Sequence, residues 1–153
     1  FNTDGLRSLL ITMHHIPNMK EKTLRYPGHA RLIQSMIDKN LFDSNNFDKT
    51  VNELLNDWKL EEDEAEFTVL DINIYGNEKN IHYHLYDEMD IRSKSSSMAR
   101  TTGFTATATI NMILKEMWTK KGVSPPEIVG AKEDCTNFLL EYLALRNVKI
   151  SQS

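Results

Sequence analysis

One cysteine, Cys135, stands in 153 residues, so no internal disulfide can form and the secreted disulfide scaffolds are excluded. Five dispersed histidines beside that single thiol lack the paired spacing of a zinc module. Glycine and proline are sparse, at six and four, and no Pro-rich linker, low-complexity tract or repeat divides the sequence, which reads as one domain over residues 1–153. No apolar run approaches the ~20 residues that cross a bilayer, and the N-terminus lacks the basic, apolar and small-residue order of a signal peptide. Basic residues are not in excess either, since 18 Lys and Arg against 22 Asp and Glu leave a formal charge of −4. That balance disfavours nucleic acid as a partner. The expectation is a cytoplasmic chain in a reducing setting, with no nucleic-acid and no membrane partner.

The catalytic and cofactor signatures that are missing narrow the reading further. There is no glycine-rich phosphate loop of either dinucleotide or P-loop type, no Gly-x-Ser-x-Gly elbow, no His-Glu-x-x-His helix and no EF-hand loop. No nucleotide cofactor is therefore expected on this chain.

What remains is enough to fold. With 40% hydrophobic residues, a domain of this length buries roughly 70% of the surface its unfolded chain exposes. Asp4 is placed to cap a short helix through Leu6, Leu9, Leu10 and Met13 that stops at Pro17. Residues 19 to 26 alternate weakly and read as a strand entering the Pro27-Gly28 turn. Leu32, Ile33, Met36, Ile37 and Leu41 form one helical stripe, and Val51, Leu54, Leu55 and Trp58 another behind Asp48. The acidic run from Glu61 to Glu66 reads as a solvated loop. Residues 66 to 74 and 81 to 91 read as an antiparallel hairpin around Gly76 to Asn80, with Ile81, Tyr83, Leu85, Met89 and Ile91 on one face. After a polar loop over residues 93 to 97, a helix from Phe104 to Trp118 is expected to be buried on more than one side. Pro125-Pro126 opens a turn, residues 132 to 146 form the last helix, and Val148 to Ile150 form a short final strand. The fold class is α+β, a mostly antiparallel or mixed sheet packed against helices.

Four places carry candidate chemistry. His82 and His84, two apart on a strand, share a face with Glu88 and form a conceivable metal set; the reading taken is a solvent-facing polar face, with no metal. His14-His15 follows a helix end, where capping suffices. Thr23 to His29 is the richest segment: Arg25, a Pro27-Gly28 turn, His29 and the free amides of a helix N-terminus would together suit a carboxylate, against the alternative of a turn with a buried structural arginine. Arg100, Thr101 and Gly103 open the small-residue helix, as a cap or as a point of close approach. Thr105, Ala106, Thr107, Ala108 and Thr109 offer that helix a smooth face, suited to packing across a two-fold axis.

Four ordered motifs bring a resemblance into view: Phe-Asn-Thr-Asp-Gly-Leu-Arg at residues 1 to 7, Glu-Lys-Thr-Leu-Arg-Tyr-Pro-Gly-His at 21 to 29, Met-Ala-Arg-Thr-Thr-Gly-Phe-Thr-Ala at 98 to 106, and Lys-Gly-Val-Ser-Pro-Pro-Glu at 121 to 127. Together, over nearly the whole chain, they resemble the C-terminal, substrate-binding half of the saccharopine dehydrogenase and lysine dehydrogenase family. The resemblance implies a two-domain oxidoreductase whose N-terminal Rossmann domain, holding NAD or NADP, lies outside this chain, consistent with a sequence that opens at Phe1 without Met. It also implies an amino-acid substrate oxidised at a carbon bearing an amine, and a homodimer. By the same resemblance Thr23, Leu24 and Arg25 contact the substrate, Arg25 pairs with its carboxylate, and Tyr26 and His29 are adjacent candidates. Asn2 and Thr3 fall in a segment where saccharopine-forming members carry an arginine; Thr3 replaces it here, so one cation fewer would face the second carboxylate arm and a lysine-like substrate fits comparably. Arg100, Thr101 and Gly103 match the family in structural or dimer positions.

Overall fold

The computed structural model describes residues 3–61 and 64–153. The chain divides into two compact units, Phe1–Glu62 and Asp63–Ser153, and the division falls inside the acidic run.

The first unit holds three helices, α1 (Leu9–Thr12), α2 (His29–Asp38) and α3 (Phe47–Asp57). Asp4 does not cap α1. Arg7 adopts a left-handed backbone with φ of 41°, which interrupts a right-handed helix, and α1 starts only after it, at Leu9 behind the N-cap Ser8. Residues 19 to 26 do not form the expected strand either: they hold no regular structure beyond a single bridge residue at Lys22, because their alternation supplies no apolar face to bury. Gly28 takes φ of 97° at the start of α2, a conformation open to glycine at little cost. Thr50 of α3 is buried, and its hydroxyl donates to the carbonyl of Leu41 at 2.6 Å, satisfying a carbonyl beyond the end of α2.

The second unit is a three-stranded antiparallel sheet with helices against it, so the α+β expectation holds and the sheet is antiparallel throughout. β1 (Phe67–Tyr75) and β2 (Asn80–Glu88) form the hairpin, closed where the Gly76 amide meets the Lys79 carbonyl at 3.1 Å. β3 (Ile150–Gln152) pairs with the other edge of β2, which makes β2 the central strand. Three helices precede β3: α4 (Ser97–Leu114), α5 (Pro126–Gly130) and α6 (Glu133–Ala144). The Pro125-Pro126 turn is a short helix, because a proline at its first position loses no hydrogen bond.

The core sits between β2 and the helices. Leu85, Leu143 and Val148 form its centre, with Phe104, Leu139 and Ile150 packed around them; each large side chain buried there contributes roughly 1.5–3 kcal/mol. Ala108, Met112 and Cys135 are also buried. Cys135 is thus an ordinary core residue.

α4 departs from expectation twice. It begins seven residues before Phe104, because Ser96 accepts the Ala99 amide at 3.1 Å as an N-cap, and so Arg100 to Gly103 lie inside the helix and do not cap it. It is also buried along one stripe only, at Ser97, Arg100, Ala108 and Met112, while Ile110, Ile113 and Leu114 are exposed. Among the described residues no helix is long and apolar enough to cross a membrane.

Candidate functional site

In the first unit, the Thr23 to His29 segment leads from irregular backbone into the N-terminus of α2, where no side chain caps the helix and the His29 amide donates to the Tyr26 carbonyl at 3.2 Å. Arg25 is exposed, and among the described residues its guanidinium makes one hydrogen bond, from Nη1 to the adjoining Leu24 carbonyl at 3.2 Å. The alternative of a buried structural arginine is thereby overturned. Leu24 and Tyr26 are exposed as well, and Thr23 is half-buried. His29 turns to Trp58 after the end of α3, ring centroids 5.2 Å apart, so the indole fixes its imidazole. Thr3 donates a hydrogen bond from its hydroxyl to Glu21, two residues before Thr23, and a Cβ on Gly5 would meet the Glu21 side chain at 2.6 Å. The N-terminal segment and the Thr23 segment therefore meet at Glu21. The remaining candidate of this set, Asn2, lies outside the described residues.

In the second unit Arg100 is held on several sides. Its Nε and Nη2 donate to the two carboxylate oxygens of Asp87, both at 3.2 Å; Nη2 also donates to the Arg146 carbonyl at 3.1 Å, and Nη1 lies 3.7 Å from Asp90. The guanidiniums of Arg100 and Arg146 lie over the Phe104 ring, at 5.8 and 5.7 Å from its centroid. Such a group braces α4 against β2 and the segment after α6. Thr101 donates back to the Ser97 carbonyl at 2.9 Å. A Cβ on Gly103 would meet nothing within 4 Å, so no close approach within the chain calls for glycine there.

The metal question is recast by the hairpin register. Glu88 shares a face with the two histidines, yet it pairs opposite Phe67 and takes the Tyr86 hydroxyl at 2.7 Å. The carboxylate that meets them is Asp71, directly across from His84. Its Oδ1 lies 2.7 Å from His82 Nε2 and 3.1 Å from His84 Nδ1. Hydrogen bonds from His82, then His84, hold the Asp71 carboxyl below its ordinary value. Counting outward from the turn would have found it, since the pairs on either side of residues 76 to 79 climb in step. His14 Nδ1 donates to the Ile11 carbonyl at 3.0 Å, which fits the capping reading.

Among the described residues the sheet is antiparallel, without the switch point between parallel strands where a dinucleotide sits. The family model for the saccharopine dehydrogenase C-terminal domain matches residues 2–148.

Proposed function

Because the chain belongs to the saccharopine dehydrogenase C-terminal domain family, a domain associated with oxidoreductases, we propose that it binds the amino-acid substrate of an NAD(P)-dependent dehydrogenase acting on the C–N bond of a lysine-related amino acid. The cofactor belongs to another domain of the parent protein.

The observation that carries this reading is the exposed Arg25 within the family-matching Thr-Leu-Arg segment, its planar donor fork engaged among the described residues by its neighbour's carbonyl alone. A substrate carboxylate would take that fork in a bidentate pair. The uncapped amides of α2 add positive partial charge at the end of the same segment. His29, steadied by Trp58, borders the segment. In this reading the chain's residues bind and orient the amino acid, and hydride removal from the amine-bearing carbon and hydrolysis of the imine to an aldehyde are completed with groups of the full protein. A homodimer through the exposed face of α4 and a cytoplasmic setting, suited to the free thiol of buried Cys135, belong to the same proposal.

One observation favours a second reading, a non-catalytic binding or dimerisation module on this scaffold. Thr3 replaces the family's substrate-binding arginine and is hydrogen-bonded to Glu21, so a carboxylate stands where a cation would meet an acidic substrate arm.

The test is absorbance at the reduced-nicotinamide band for the full-length protein, offered lysine, saccharopine and related diamines with NAD or NADP in turn. Reduction with one substrate establishes the dehydrogenase and names it. Silence from a folded protein that binds the dinucleotide means that the scaffold serves a different amine or no longer catalyses.

A further inference from the structure

The face of the hairpin that carries Asp71, Asn73, His82 and His84 is opposite the face that carries Leu85 to the core, because side chains alternate along paired strands. On it the three donor atoms of Asp71, His82 and His84 all lie within 4.8 Å of one another. We propose that these three residues form a binding site for a borderline divalent transition metal of the zinc and nickel class, its remaining positions filled by water. The sequence alone offered Glu88 as the third ligand and favoured a face without metal; the register puts Asp71 beside the two histidines instead.

The donor set selects the ion. Two imidazole nitrogens and one carboxylate oxygen suit zinc, nickel or copper, whereas magnesium and calcium call for oxygen cages. With metal–ligand bonds of about 2.0–2.1 Å, adjacent ligand atoms of a tetrahedron stand about 3.3–3.4 Å apart. The carboxylate already lies 2.7 and 3.1 Å from the two nitrogens, so each contact need open by only a few tenths of an ångström. The imidazole centroids are 6.1 Å apart and tilted by 47°, which lets both rings turn a nitrogen toward one point beside the carboxylate. All three side chains are about two-fifths exposed, at 39–42%, leaving an entry path and room for water ligands. The ligands stand on a paired antiparallel hairpin, a rigid base for such a site, and β3 secures the far side of His84 by pairing Ser151 with it. Binding would exchange the two N–H···O contacts for metal bonds, each neutral ring carrying its one N–H on the nitrogen that faces away from the metal.

This inference does not draw on the substrate reading, and its test is separate from catalysis. The chain, stripped with a chelator, is titrated with Zn²⁺ by calorimetry and with Co²⁺ by visible absorption. One equivalent is expected to bind, with affinity lowered at least tenfold in His82→Ala, His84→Ala and Asp71→Asn and unchanged in a His14→Ala/His15→Ala variant. In the unaltered protein, Zn²⁺ should shift the imidazole NMR resonances of His82 and His84 and leave those of His29 in place, a readout independent of how the variants fold. Absence of saturable binding, or binding undiminished in His82→Ala/His84→Ala, overturns the site.

Discussion

Arg100 and Asp87 face each other as a two-bond pair inside the second unit, with side chains 10% and 3% exposed, one on α4 and the other on the core-facing side of β2. Breaking a buried pair on one side strands the other charge, which costs about 3–5 kcal/mol. Asp87→Ala should therefore lower unfolding free energy by about that amount in urea titrations. Replacing both, as Asp87→Leu/Arg100→Met, should recover most of the loss. Equal losses in the single and double variants would place the effect in packing.

Arg25 makes the opposite prediction. Among the described residues its exposed guanidinium is bonded to the adjoining carbonyl alone, so Arg25→Ala should leave stability within about 0.5 kcal/mol. If the full-length protein is the proposed dehydrogenase, the same change should reduce kcat/KM by about 1.5–3 kcal/mol, the scale of a hydrogen bond to a charged group. Steady-state kinetics beside a melting curve separate the two effects, and unchanged kinetics would remove Arg25 from the substrate site.

Asp90 supplies a pH prediction. The Ser93 hydroxyl donates to its carboxylate at 2.9 Å and the Arg92 amide at 3.0 Å, with Arg100 nearby; the Ser93 bond is the largest cause holding the carboxyl below its ordinary value of 3.8. A carboxyl lowered on folding stabilises the fold above its unfolded value, and that contribution disappears as pH falls through the folded one. Carbon-detected NMR titration should find Asp90 below 3.8, rising toward it in Ser93→Ala. A midpoint that Ser93→Ala leaves in place would show the turn does not hold the carboxylate.

The outer face of α4 is the surface for the proposed homodimer. Ile110, Ile113 and Leu114 are exposed there, close to Thr105 and Thr109, whose hydroxyls return to the carbonyls of Thr101 and Thr105 at 2.7 and 2.9 Å. Light scattering should give the mass of two chains, and Ile110→Glu/Ile113→Glu should give the mass of one. A monomer at high concentration in the unaltered chain removes this interface.

The hairpin was legible because its local signals agreed: alternation on both sides of a turn, with β-branched and aromatic residues between. Asp87 was readable in principle, since it falls in phase with Ile81, Tyr83 and Leu85, but its partner lies 13 residues away on a helix whose start was misplaced. That start was obscured because a run of serines reads as a loop when only one of them is the cap, and which one depends on a turn not yet formed. Asp71 was missed because a cross-strand contact is a property of register rather than spacing. Arg25 was found through its segment, whereas its exposure had no local signal, and the irregular backbone there was mistaken for a strand because weak alternation looks alike with or without a partner strand.

Glu66 lies just before β1 and receives the backbone amides of Ser97 and Met98, about thirty residues further along the chain. The first turn of α4 is thus closed by a group that arrives only when the hairpin has been laid down beside it. Helix fraying and strand detachment become one opening event, and the exchange rate of the Ser97 amide with deuterated solvent becomes a reporter of whether the beginning of β1 is in place.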